Sequence, residues 1–398
     1  MKRIIFLLII LISVNHVSAQ DHNVLTLALY PHVPDLSRFK SVISEKWKQR
    51  HPEVLLEFSD WDCYSGTLPE KADLFVYDAV YMNDYLKQGL LLPLTKSDIK
   101  DIDDFFPFVM DVCSVDDEFY AVPEFLCSEF LYTRKSDTEL NDIENIRELY
   151  EVIGELDLNE GLLPLNEGLL VSIPSKLNAS FWLVQALVDA EQAELSVLFP
   201  LDPDKIPQEA SDSLWMIREM AGFEDMTLNT ENNGPYIFGE WFTDGVGRAY
   251  IGFSEAMSVM GDSTEDLDFR LYSMTEDKNI PLFYADLASV NAKINEEKRD
   301  LAVELLNLIT GTEVFVRASS PIEPDQSYQY LLSARESVYK ELGKSDPIYT
   351  ELETYVSDPD NRLFMVRNED LSSLYETSLI TSLLQQNRME MESTYEYN

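Results

Sequence analysis

Three kinds of residue in this 398-residue chain could do chemistry together: one cysteine in an apolar run, several carboxylates at the ends of strand-like segments, and tyrosines beside them. Cys127 falls in FYAVPEFLCSEFLYTRK (Phe119–Lys135), where two β-rich runs meet at a proline-marked break. Pro123 removes a backbone donor and drives Val122 towards an extended conformation. Phe130, Leu131 and Tyr132 favour a buried strand after the break. A thiol at such a crossing is placed to face a cleft, yet a lone cysteine also makes an ordinary inert core residue. To act as a nucleophile it needs a base, because only a few per cent of a free thiol is ionised at neutral pH. No histidine occurs after His51. His32 stands at a strand end, but a carboxylate is the more available partner. Glu255 is the best placed, where the strand RAYIGF gives way through Ser254, read as an N-cap, to a helix beginning at Glu255. A glutamate in a first helical turn also suits the helix dipole without any chemistry.

Asp78 ends the run ADLFVY, and Asp286 comes after PLFY. The carboxyl ends of strands form the ligand edge of an open α/β sheet, although each aspartate could equally cap the next element. Tyr30, Tyr64, Tyr236 and Tyr284 fall at strand ends or loops. Together they describe an aromatic, acidic cleft suited to a flat cationic heterocycle. Gly245-Val246-Gly247 reads as a turn, because it lacks the strand context of a dinucleotide loop. Cys63 and Cys113 read as structural, and whether they pair stays open. With no CxxC, no zinc-type Cys/His spacing and few histidines, neither a metal nor a cofactor is expected.

The elements that must hold these residues alternate. A strand over Val24–Pro31 leads to a helix over Leu36–Arg50 and a strand over Val54–Trp61. A further strand spans Ala72–Tyr77, and helix continues from there up to Gly89. Helix is expected over Thr138–Ile153, Phe181–Val188, Ser211–Ala221 and Glu296–Ile309, and strand over Leu169–Pro174 and Ile280–Asn291. The pattern means α/β with a largely parallel sheet. Two lobes joined by crossing strands, with no flexible tether, describe a periplasmic-binding-protein-like fold with a hinged interlobe cleft. Residues 20–124 and 288–320 are expected in the first lobe, and residues 125–287 and 321–398 in the second. Residues 1–19 carry a charged start, a short apolar stretch and Val17-Ser18-Ala19, which is a signal-peptide pattern and places the mature chain in a secreted or periplasmic location. The formal net charge of −42 disfavours nucleic acid and anionic membrane surfaces as partners. Much of that acidity serves solubility. Asn178-Ala179-Ser180 is a weak sequon, and Met389–Asn398 reads as an acidic tail.

Several stretches together carry a family resemblance: LALYPHVPDLSRF, FSDWDCYSG, ADLFVYDAVY, GLLLPL, YAVPEFLCSEFLYTRK, GRAYIGFSEAMSVMGD and IPLFYADLASVN. Running from Leu27 to Asn291, they resemble bacterial thiaminase I, an exported enzyme on a binding-protein fold. The resemblance implies Cys127 as nucleophile and Glu255 as its base. It implies Asp78 and Asp286 as the aminopyrimidine carboxylates, and Tyr30, Tyr64, Tyr236 and Tyr284 as cleft tyrosines. It also implies thiamine and a small amine or thiol nucleophile as the reacting partners; a monomer without stable membrane association is expected, since no run of 18 apolar residues follows residues 1–19. Phe253 departs from the family, which can carry a tyrosine there. The rival reading is a non-catalytic binding protein for thiamine or a related cationic heterocycle. A cysteine hydrolase is disfavoured by the lack of histidine.

Overall fold

The structure, a computed structural model, describes residues 24–156, 164–171, 176–191, 205–222, 236–276 and 280–363. The N-terminal leader, the Asn178 side chain and the acidic tail lie outside the described residues. The strands that matter here are, in chain order, β1 (Val24–Ala28), β2 (Leu55–Ser59), β3 (Leu74–Asp78), β4 (Val122–Cys127), β5 (Glu129–Arg134), β6 (Leu165–Val171), β7 (Gly247–Phe253), β8 (Leu267–Arg270), β9 (Leu282–Val290), β10 (Leu332–Ser333) and β11 (Arg362–Leu363).

Among the described residues they form two principal sheets. The larger runs β10-β4-β9-β3-β1-β2, with β11 added beside β9, and the smaller runs β8-β5-β7-β6. All five residues of β3 and all nine of β9 are buried, the signature of strands covered on both faces. Helix α1 (Leu36–Arg50) buries Phe39, Val42, Ile43 and Trp47 as one stripe. Asp35 starts it by accepting the Arg38 amide at 3.0 Å.

The large sheet is mixed, not largely parallel. β1 pairs in parallel with β2 and β3, but β9 runs antiparallel to both β3 and β4, and β10 antiparallel to β4. The expected helix over 138–153 is shorter. It spans Ile146–Ile153 because the Asn145 side chain accepts the Glu148 amide at 2.9 Å and sets the start there. The division into lobes also departs from expectation. β9 lies whole within the large sheet, and β10 and β11 belong to it too. Between β10 and β11, however, Tyr355 packs its ring on Phe130 and Phe269 of the small sheet and donates to the Phe269 carbonyl at 2.9 Å, so this stretch touches both lobes.

One connection decides the geometry of the site. Only Ser128 separates the end of β4 in the large sheet from the start of β5 in the small one. Ser128 is buried, and its hydroxyl donates to the Leu282 carbonyl at 3.0 Å, pinning the crossover to β9. Among the described residues no helix is long and apolar enough to cross a membrane.

Candidate active site

β1, β3 and β4 end at one edge of the large sheet, and the antiparallel β9 brings its early residues to that edge. Pairing sets Tyr284 opposite Cys127 and Asp286 opposite Asp78. Asp286 is thus in the middle of a strand, not beyond its end, and it reaches the ligand edge because β9 runs the other way. Between Asp286 and Leu287 the register slips by one residue, leaving Glu124 as the extra residue of a β-bulge. Pro123 beside it has no N–H to offer the ladder, so the interruption suits it.

Cys127 is half-buried and carries a free thiol. Burial, and then the carboxylates of Asp286, Glu255, Asp78 and Glu129, push the thiol well above its usual pKa. At rest this is a neutral thiol that four carboxylates discourage from ionising. A cation arriving in the site reverses that balance.

Glu255 lies in a single turn, Ser254–Ala256, directly after β7. Ser254 is not the cap expected of it. It is fully buried inside the turn, and its hydroxyl donates to Glu255 Oε2 at 3.3 Å. Burial raises the Glu255 carboxyl to about 7, partly offset by its own amide and by Ser254. A group poised there exchanges protons at neutral pH.

Asp78 both caps and faces the site. Its Oδ1 accepts the Val80 amide at 3.0 Å, and its Oδ2 accepts the Tyr64 hydroxyl at 2.6 Å. Asp286 is pushed well up by burial and then by Asp78, Glu124 and Glu255. Two carboxyls opposite each other do not both ionise readily. The donor-supported Asp78 is the natural acceptor, and Asp286 the natural holder of a proton. The pair presents one acceptor and one donor side by side.

The Tyr30 and Tyr64 hydroxyls are 3.4 Å apart, and His32 packs 5.3 Å from Tyr30 and 5.5 Å from Tyr64 between ring centroids. Burial, Asp286, Asp78 and Cys127 all raise the Tyr30 phenol, so it shares their space. Tyr236 donates to the His32 carbonyl at 3.2 Å, and burial, Glu255 and Cys127 raise its phenol. The Tyr284 ring packs on Phe181, centroids 4.1 Å apart and tilted by 34°. All eight residues singled out from the sequence thus collect around one edge. Cys63 and Cys113 do not pair: both are buried free thiols, and Cys113 Sγ donates to the Val109 carbonyl at 3.4 Å. Among the described residues no group of three or more His, Cys, Asp or Glu is arranged to hold a metal ion.

Two acidic residues of the site were not anticipated. Glu124 is 2 % exposed, neither of its oxygens has a hydrogen-bond partner, and burial raises it to about 8. Glu129, two residues beyond Cys127, is raised to about 7 by burial. The available signal was a charged residue inside each of two otherwise apolar strand runs.

Two lobes of mixed sheet, with an acidic, thiol-bearing cluster where they cross, define the class: a solute-binding-protein fold equipped with reactive side chains. The fold matches a Thermus thermophilus maltotriose-binding protein with a TM-score of 0.64 at 14% identity, covering 94% of this chain and 97% of that one. Residues 128–275 match the model of the Thiaminase-1 domain, a span that begins one residue after Cys127 and contains Glu255. The chain is 35% identical to Thiaminase-1 of Paenibacillus thiaminolyticus, over 89% of this chain and 86% of that protein. It also superposes on Clostridium botulinum thiaminase I in complex with thiamin with a TM-score of 0.86 at 36% identity, covering 91% of this chain and 100% of that one. The chain belongs to the thiaminase I family, and it is an enzyme of that type.

Proposed function

We propose that this chain degrades thiamine by transferring its pyrimidinylmethyl group to a small amine or thiol through a covalent adduct on Cys127. The observation that carries the reading is the convergence of a free, half-buried thiol with Glu255, Asp78 and Asp286 at one sheet edge. In this reading Asp78 accepts from the pyrimidine amino group and Asp286 donates to a ring nitrogen, which makes the ring more electrophilic. The tyrosines wall the ring. The thiazolium charge offsets the carboxylates that hold the Cys127 thiol neutral, and Glu255 takes the thiol proton as sulfur bonds to the ring carbon next to the ring nitrogen. Electrons released into the ring break the methylene–nitrogen bond, and thiazole leaves as a neutral molecule. The incoming nucleophile bonds to the methylene carbon, the electrons return, and the sulfur–carbon bond breaks. The departing thiolate recovers its proton from Glu255.

The two lobes close over the substrate by bending at crossovers such as Ser128, and the enzyme acts as an exported monomer. A non-catalytic thiamine receptor shares the fold and the cleft, since fold alone does not fix function. Thiazole release by wild type and Cys127→Ser, with thiamine binding measured on both, separates the two readings. The enzyme reading expects release to vanish in the serine variant while binding persists. Equal release by both proteins sinks the covalent route, and no release by either leaves the receptor.

A further inference from the structure

A small pocket opens beside Tyr284, between the start of β5, the segment around Tyr272 and a helix, α2 (Lys176–Glu191). It is lined by Glu129, Phe181, Trp182, Gln185, Tyr272 and Tyr284 among others, and holds about 20 Å³ of free space. That is room for about one water molecule. Its one carboxylate is bound on one side only. Trp182 Nε1 donates to Glu129 Oε2 at 2.5 Å and the Tyr272 hydroxyl to the same oxygen at 3.4 Å. Among the described residues Oε1 accepts nothing. Two of its lining residues neighbour the thiol-bearing residue: Tyr284 pairs across the ladder with Cys127, and Glu129 follows Cys127 by two residues, its charge bearing on the sulfur.

We propose that this pocket seats the reacting head of the incoming amine or thiol, and that Glu129 takes the proton this head loses. The inference rests on the transferase reading above and adds a second proton acceptor to it. The bonds balance. A lone pair on nitrogen or sulfur bonds to the methylene carbon, the N–H or S–H bond breaks, and its proton moves to Glu129 Oε1. The ring electrons then expel the Cys127 thiolate. One base per proton is the economical arrangement, because Glu255 still carries the thiol proton when the second nucleophile arrives. With room for about one water, the pocket admits a single N–H or S–H group and not a ring.

The titratable groups facing Glu129 do not take over its role. Burial keeps Cys127, Tyr250 and Tyr272 protonated. Asp189, behind Gln185, is occupied by the Ile280 and Met274 amides at 3.0 and 2.8 Å. Glu129 itself, near 7, alternates between its two forms at neutral pH.

Nucleophiles with and without a removable proton provide the test. Pyridine carries none on its nitrogen, whereas 2-mercaptoethanol must lose one. For Glu129→Gln, kcat/KM for 2-mercaptoethanol at pH 7 is expected to fall about 100-fold relative to whatever change kcat/KM for pyridine shows. The thiol deficit should shrink as pH rises and the thiol ionises in solution. An equal loss with both nucleophiles, or a thiol deficit that ignores pH, assigns Glu129 a structural role and overturns the proposal, as does no loss with either. Wild-type turnover with pyridine tests the underlying transferase reading separately.

Discussion

Replacing Glu255 by glutamine should make the protein slower and more stable at once, and both magnitudes come from its burial. The side chain is 7 % exposed and leans on only two donors, so its carboxyl rises from 4.5 to about 7. In the unfolded chain it ionises near 4.5. A raised folded-state pKa means that the native state prefers the neutral form. Stability is therefore fully present below about 4.5 and is lost as pH rises through about 7. A shift of roughly 2.5 units at 1.36 kcal/mol each corresponds to about 3 kcal/mol, of which about 2.5 kcal/mol is lost between pH 5 and 8.5. Glutamine keeps the shape without the ionisation cost. Urea unfolding at the two pH values should show Glu255→Gln losing about 2.5 kcal/mol less than wild type. In the same variant kcat should drop by about 10²–10⁴, the usual contribution of a general base, and the acid limb of the wild-type profile near pH 7 should disappear. A variant that loses less than tenfold in rate, or whose stability varies with pH as steeply as wild type, refutes the placement of a buried, proton-accepting Glu255.

The site makes three further outcomes testable. Tyr64→Phe deletes the 2.6 Å bond to Asp78. Calorimetry in a Cys127→Ser background should show thiamine binding weakened by about 10- to 150-fold, as expected for a hydrogen bond to a charged group worth roughly 1.5–3 kcal/mol. Glu124→Gln should flatten the stability curve markedly. The wild-type carboxyl shifts from 4.5 to about 8 with no partner for either oxygen, so about 5 kcal/mol is lost as pH rises through 8 and is retained by the variant. Alkylation without reductant should count three thiols in the denatured protein. In the native protein Cys127 alone should react, slowly, and thiamine should protect it.

The chemistry-bearing residues were legible because each stands where an apolar strand pattern ends or breaks. Cys127 comes after Pro123 in a run otherwise made for a sheet core, and Glu255 comes after the strand that ends at Phe253. Legibility failed where the outcome depends on which distant strands pair. Asp286 meets Asp78 across 208 residues of chain, and nothing local in IPLFYADLASVN announces that it runs antiparallel. The same blindness turned a mixed sheet into an expected largely parallel one and left β10 and β11 out of the large sheet they join. Glu124 and Glu129 were passed over for a different reason. A glutamate in a strand ordinarily marks a solvent-facing position, but here a bulge and a sheet crossover turn both inward. Cys63 and Cys113, whose pairing the sequence left open, proved to be two separate core residues, because only geometry decides whether thiols meet.

A sulfur–carbon bond must form during turnover, and mass spectrometry of the acid-quenched protein and its peptides reads it directly. Wild type mixed with thiamine, starved of added nucleophile and quenched in acid, should gain the mass of one pyrimidinylmethyl group on the peptide that contains Cys127, and lose it when pyridine is added before the quench. Thiamine consumed at full rate with Cys127 unmodified at every quench time would contradict the account.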